Sequence, residues 1–214
     1  MARFPRMNIL LALAMLLGAC SHPTVLVSVP PRMDLRNYPT LGIVDFTSGP
    51  EQALGARAAR QLQEHVQAAQ PGTRFIELGD RDAVLAAVGA RQLDVSALRK
   101  IGEKYGVAAV FVGELAYSEP TVDVKLMDLT KLEGGVRAEM RGDLSSRLVE
   151  TATGASVWSR SAWAKRQIGG VNVSAEQGVS GGGRTSNPRE AMLPTLVYQL
   201  THDFRPTSTR QPAK

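Results

Sequence analysis

Ile101-Gly102-Glu103-Lys104-Tyr105-Gly106-Val107-Ala108-Ala109-Val110-Phe111-Val112-Gly113-Glu114-Leu115 is the stretch that decides the fold class. Asp94 opens a helix whose Val95, Leu98, Ile101 and Tyr105 share one face, and Gly106 stops it. Val107 to Leu115 follows as the most hydrophobic strand beyond the amino-terminal segment, which makes it the best candidate for the centre of a sheet.

Working back from this unit, Thr40 to Phe46 (TLGIVDF) reads as an apolar strand. Ser48-Gly49-Pro50-Glu51 reads as a helix start, with Ser48 as N-cap and proline in the first turn. Leu54, Ala58, Leu62, Val66 and Ala69 then line one face of an amphipathic helix, with Arg57, Arg60, Glu64 and Gln67 opposite and His65 at the boundary. Arg74 to Leu78 is a second strand, and Asp80 caps a short helix carrying Val84, Leu85 and Val88. Strands alternating with helices of these lengths predict an α/β fold with some parallel pairing.

Beyond Pro120 the pattern changes to strict alternation. Val122, Val124 and Leu126 are followed by a Gly134-Gly135 turn and then by Val136, Ala138, Met140 and Leu144. A second hairpin joins Arg147–Thr151 to Ser156–Ala164 through Ala152-Thr153-Gly154. Antiparallel strands with one polar face give this half an α+β tendency. The expected architecture is a three-layer-like mixed β-sheet flanked by helices, with antiparallel hairpins and a carboxy-terminal helix. Residues 169–186, with six glycines and three serines, read as a flexible loop. Asn187-Pro188-Arg189-Glu190 opens the last helix, with Leu193, Leu196, Val197, Leu200 and Phe204 on its stripe; Pro194 should kink it or delay its start. Residues 207–214 read as a disordered polar tail, leaving 40–206 as the α/β domain.

The amino terminus is an address. Arg3 and Arg6 precede an apolar run from Asn8 to Leu17, and Gly18 and Ala19 supply small residues before Cys20, the one cysteine of the 214 residues. This pattern reads as a signal peptide over residues 1–19, too short to span a bilayer. Leu17-Gly18-Ala19-Cys20 resembles the bacterial lipobox, which implies cleavage before Cys20 and lipidation of its side chain. Each buried acyl methylene contributes roughly 0.8 kcal/mol, so a Cys20 carrying several chains would hold the protein at a membrane face. Ser21, which is not aspartate, points by resemblance to the Gram-negative sorting pattern towards the outer membrane. Residues 20–39 contain Pro23, Pro30, Pro31 and Pro39 and read as an extended tether reaching ~55 Å at ~3.1 Å per residue, with room for a short edge strand at Val25, Val27 and Val29. No later stretch of about 18 apolar residues exists.

The body resembles a family of bacterial envelope lipoproteins with the curli-secretion-channel (CsgG-type) domain, a plan shared by the LpoB-type activators of penicillin-binding proteins and the amino-terminal domain of TolB. The matching pieces are Ile43-Val44-Asp45-Phe46, Phe75-Ile76-Glu77-Leu78 with Asp80-Arg81, the run from Ile101 to Gly113, and the hairpin through Thr153-Gly154 to Val157-Trp158. The resemblance implies a periplasmic domain that binds or helps to assemble an envelope protein, with self-association open. Its alternative is a secretion-pore subunit that inserts two hairpins per copy, and a cell-wall-acting enzyme is a third reading.

The residues themselves argue for a protein that is not an enzyme. The chain shows no G-x-S-x-G, no H-E-x-x-H and no Walker A lysine, and its three histidines at 22, 65 and 202 have no metal-ligand spacing. No cofactor and no metal is therefore expected, and a net charge of +5 falls short of a nucleic-acid-binding signature. Asp80 and Asp82 read as helix-start charges rather than a catalytic pair. Gly181-Gly182-Gly183-Arg184 reads as flexible loop rather than a phosphate cradle. Trp158 and Trp163 stand five apart on opposite faces of a strand. An exposed one would mark a contact surface; the alternative tucks both against the last helix.

Overall fold

The computed structural model describes residues 24–128, 133–174, 178–182 and 187–212. Two units are distinguished. In one, strands β1 (Thr24–Val29) and β9 (Thr207–Pro212) pair antiparallel, Thr24 opposite Pro212 and Val29 opposite Thr207, with every residue exposed. The expected disordered tail is thus a strand up to Pro212. A backbone ladder to a segment far away in sequence overrides its polar composition.

The other unit, Pro31–Arg205, holds β2 (Leu41–Val44), α1 (Gln52–Ala69), β3 (Phe75–Gly79), α2 (Arg81–Ala87), α3 (Val95–Tyr105) and β4 (Ala109–Tyr117). It continues with β5 (Thr121–Asp128), β6 (Glu133–Glu150), β7 (Ser156–Ser174), β8 (Gly178–Gly182), α4 (Pro188–Leu200) and a 3-10 turn over Thr201–Phe204. One sheet runs β3-β2-β4-β6-β7-β8, with β5 beside the first half of β6. β2 is parallel to β3 and β4, and every other pairing in the sheet is antiparallel. The fold is the expected mixed α/β arrangement, with the apolar run at 107–115 supplying the interior strand β4.

Three layers result. On one face α1 and α4 pack Leu62, Val66, Leu193, Leu196 and Leu200 against Leu41, Ile43, Phe111, Leu144, Leu148 and Trp158. Phe111 lies at the centre of this layer, 5.8 Å from Phe75 and 5.9 Å from both Trp158 and Phe204, ring to ring. On the other face α2 and α3 bring Val84, Leu98 and Ile101 onto Val44, Val110, Val112 and Val149. Gln70, at the end of α1, ties the first layer together: its amide donates to the carbonyls of Met33 and Phe204 and accepts from the Leu35 N–H, so this buried polar group is fully used.

Several local details depart from the sequence expectation. α1 begins at Gln52 after Glu51, whose side chain caps nothing. Ser48 acts from further out, its hydroxyl donating to the Glu51 carbonyl at 2.6 Å and accepting from the Gly55 N–H at 3.2 Å. Gly55 is required there because a Cβ would sit 1.8 Å from the Phe46 carbonyl oxygen. Asp80, Asp94 and Asn187 cap their helices as expected, accepting from the N–H groups of Ala83, Ala97 and Glu190. Val95, expected on the buried stripe of α3, is 46% exposed because it lies in the first turn, beyond the sheet. α4 starts without delay at Pro188 and carries Pro194 within it, on its exposed side.

The hairpins differ more. Gly134-Gly135 is no turn but part of β6, opposite Val173 and Asn172, and the two strands expected at 136–144 and 147–151 are one continuous strand. The expected loop at 169–186 is strand where it is described: β7 runs to Ser174 and β8 pairs with it, Gly170 opposite Gly182. Cross-strand pairing of β7 with β6 on one side and with β8 on the other holds these glycines extended despite their weak strand propensity. Residues 129–132, 175–177 and 183–186 lie outside the described residues.

Candidate functional site

The helices cover only part of the second face. α2 and α3 shield it over β3, β2, β4 and the Val149 end of β6, and among the described residues no helix covers the rest of β6 and β7 on this face. The strand period fixes what stands there. Leu144, Leu148, Trp158, Ala162 and Ala164 point into the α1/α4 layer, so their neighbours Ser145, Arg147, Ser159, Ser161, Trp163 and Lys165 point the other way. Between this face and α2 lies an open cleft of about 230 Å³ lined by Thr47, Arg81, Leu93, Glu114, Ser145, Arg147 and Ser159. Hydroxyls and ions of both signs converge on it, which suits hydrogen bonding to a polar surface.

The two tryptophans are divided as their spacing allows. Trp158 is buried, tilted against Phe204 at 4.7 Å, and its indole N–H donates to Asp203 Oδ2 at 3.2 Å. Arg160 also bonds Asp203, at 2.5 Å. Burial opposes charge on Asp203, yet the hydrogen bonds from Arg160 and Trp158, with the charges of Arg160 and Arg32, together hold its pKa below the ordinary value. Trp163 is 56% exposed on the bare face, with the Arg141 guanidinium 5.2 Å from its ring. Arg141 is oriented by Asp143, which accepts from both its Nε and its terminal nitrogen.

Sequence reasoning passed over Tyr198. It stands off the apolar stripe of α4, 58% exposed, with Arg205 stacked on its ring at 3.8 Å. Tyr198, Gln199 and His202 face Arg160, Ser161, Ala162 and Trp163 across a second open groove, of about 310 Å³. The signal was present in the spacing, since Tyr198 follows Leu196-Val197 just where the helical stripe leaves the core. A sequence cannot reveal, however, which strand that flank would meet.

The other candidates dissolve into structure. Asp80 is a helix cap and also accepts from the Gln52 side chain, while Asp82 sits in the first turn of α2. They lie with Asp45 at the carboxyl ends of β2 and β3. There burial raises the pKa of Asp45, with Asp80 and Glu77 adding to the shift and Arg60 opposing it. His65 is half-buried on α1, and His202 approaches Asp203 at 3.8 Å. Among the described residues no group of three or more His, Cys, Asp or Glu could hold a metal ion. Among them, too, no helix is long and apolar enough to cross a membrane, which says nothing of strands. Cys20, the expected lipidation site, lies outside the described residues, as do Gly18, His22, Gly183 and Arg184.

No family model matches the chain, and no curated protein matches it. Solved structures similar to it include the PelC dodecamer from Paraburkholderia phytofirmans, at 11% identity over 86% of this chain and 98% of that one, with a TM-score of 0.42. Lipoprotein GNA1162 from Neisseria meningitidis is 14% identical over 76% of this chain and 97% of that one, with a TM-score of 0.36. The LpoB C-terminal domain from Escherichia coli is 12% identical over 62% of this chain and 87% of that one, with a TM-score of 0.35. At these identities and scores the likeness assigns no role to any residue.

Proposed function

We propose that this chain is a lipoprotein anchored through an acylated Cys20 to the periplasmic face of the outer membrane, and that its α/β domain binds an envelope protein without catalysing a reaction. The observation that carries the reading is Leu17-Gly18-Ala19-Cys20, with the chain's single cysteine placed directly behind a short apolar run. The binding role is supported by the bare half-face of the sheet, where Trp163, Arg141, Arg147 and a row of serines stand exposed. Cys20→Ala tests the anchor. The variant should fold as the wild type does, lose incorporation of labelled palmitate and move from the membrane to the soluble fraction. A Cys20→Ala chain still integral to the membrane sinks the proposal.

One observation favours a second reading, that of a pore subunit. Hairpins β5–β6 and β7–β8 lie side by side as four neighbouring strands beyond the helical layers. Membrane-crossing strands need roughly 9–11 residues, and the described residues give 8 of them to β5 and 5 to β8. The mass of the detergent-extracted protein by light scattering separates the two readings: a monomer or dimer supports the tethered binding module, and a closed ring of many copies supports the pore.

A further inference from the structure

The outer edge of β7 is open. β8 meets β7 only from Gly170 to Ser174, and among the described residues no strand lies against it between Ser156 and Gly169. The direction of its backbone groups follows from the register. The Ser118 N–H donates to the Arg141 carbonyl, so the odd residues of β6 serve β4 and the even ones serve β7. Leu144 opposite Ala162 and Gly142 opposite Ala164 are therefore hydrogen-bonded pairs. This leaves Ser159, Ser161, Trp163 and Lys165 with their N–H and C=O groups directed outwards. Such a row is a template for another strand.

Two aromatic side chains flank that row from opposite sides of the sheet. Trp163 rises from the bare face, and Tyr198 comes from α4 on the other. A strand laid along the edge alternates its side chains between these two sides, so one would meet Trp163 and the next Tyr198. The charge is one-sided as well. Ser156 to Ile168 contains Arg160, Lys165 and Arg166 and no acidic residue. Asp203 neutralises Arg160, but among the described residues no acidic oxygen lies within 4.0 Å of Lys165, Arg166 or Arg205. Pairing of β7 with β7 of a second copy would set these cations against their own kind, which disfavours a self-complementary dimer.

We propose that the β7 edge takes up, by strand addition, an extended acidic segment of a partner protein, its apolar side chains packing alternately against Trp163 and Tyr198. This rests on the binding-module reading and names the chemistry of the partner. The test titrates the full chain, extracted in mild detergent, into a fluorescein-labelled, end-capped eight-residue peptide with two adjacent valines between runs of three glutamates, so that one valine faces each side of the sheet, read by anisotropy. Binding should saturate and weaken as salt is raised. Ser161→Pro removes an outward N–H and no ladder bond to β6, and should weaken binding about tenfold or more. Trp163→Ala covers the event that the proline variant does not fold, and should also weaken it. The proposal is overturned if the peptide does not bind, if a lysine–valine peptide binds as well, or if the folded variants bind unchanged. It is also overturned if sedimentation shows self-association that Ser161→Pro abolishes, which would give the edge to a second copy. The Cys20→Ala chain separates the two readings: peptide binding retained with the anchor disproved leaves the edge standing, and the converse leaves the anchor.

Discussion

The two faces of β7 each carry a tryptophan, and the two could hardly be treated more differently. Trp158 lies under α4, in contact with Phe111 and Phe204 and bonded to Asp203. Trp163, five residues on, stands 56% exposed with only a guanidinium for company. Both are bulky, both are in one strand and both extend from the same backbone. What separates them is whether a helix passes overhead. Over β2 and β4 both faces are covered and the second face is valine, as at Val44, Val110 and Val112. Over β7, and over β6 before Val149, one face is covered, and among the described residues the other carries serine, arginine, lysine, Asp143 and one tryptophan. A large apolar ring left where water could reach it marks a surface kept for contact.

The sharpest way to break this comparison is to truncate the covered tryptophan. Trp158→Ala empties a site bounded by two aromatic rings and leaves a carboxylate short of a donor, so it should cost about 3–5 kcal/mol and lower Tm by roughly 10 °C. Thermal unfolding followed by circular dichroism measures it. A loss below about 1 kcal/mol would mean that α4 does not clamp this face as described.

A smaller effect tests what holds Trp158 in place. Asp203→Asn removes the charge that Arg160 and the indole N–H share, and should destabilise by about 1–3 kcal/mol at neutral pH. The pH dependence gives a second check. The folded carboxyl binds its proton less tightly than the unfolded one. Its contribution is therefore fully present above the ordinary aspartate value of about 3.9 and is lost as pH falls through the lower folded value. Urea unfolding of the wild type from pH 6 to pH 2.5 should show this loss, and Asp203→Asn should lack that part of the slope. Parallel curves for the two proteins would remove Asp203 from the account.

Much of this arrangement was legible before any coordinates, and what was not has a common cause. The run at 107–115, the caps at Asp80, Asp94 and Asn187, and the opposition of Trp158 to Trp163 all depend on neighbours within a few residues, where periodicity and capping chemistry act. The largest misreadings involve partners far away. Thr207–Pro212 is a strand because Thr24–Val29 lies beside it, and Gly134-Gly135 is extended because Val173 and Asn172 lie opposite. Tyr198 entered the candidate site only once α4 was seen to run beside the β7 edge. Polar and glycine-rich composition predicts what a segment prefers in isolation, and a ladder of backbone hydrogen bonds outweighs that preference without leaving a trace in composition.

The smallest effect is expected from truncating the exposed tryptophan. Trp163→Ala removes a ring that is half in water, together with the Arg141 stack, while Asp143 continues to hold Arg141 through the same two nitrogens. Stability should change by no more than about 0.5 kcal/mol, whereas peptide capture at the β7 edge should weaken. That split is the informative result, because a residue which folds nothing yet binds something is retained for its surface. Were Trp163→Ala instead to cost as much as Trp158→Ala, the second face of β6 and β7 would have to be covered within the chain itself. The contrast between the two tryptophans, and the open edge built on it, would then fall together.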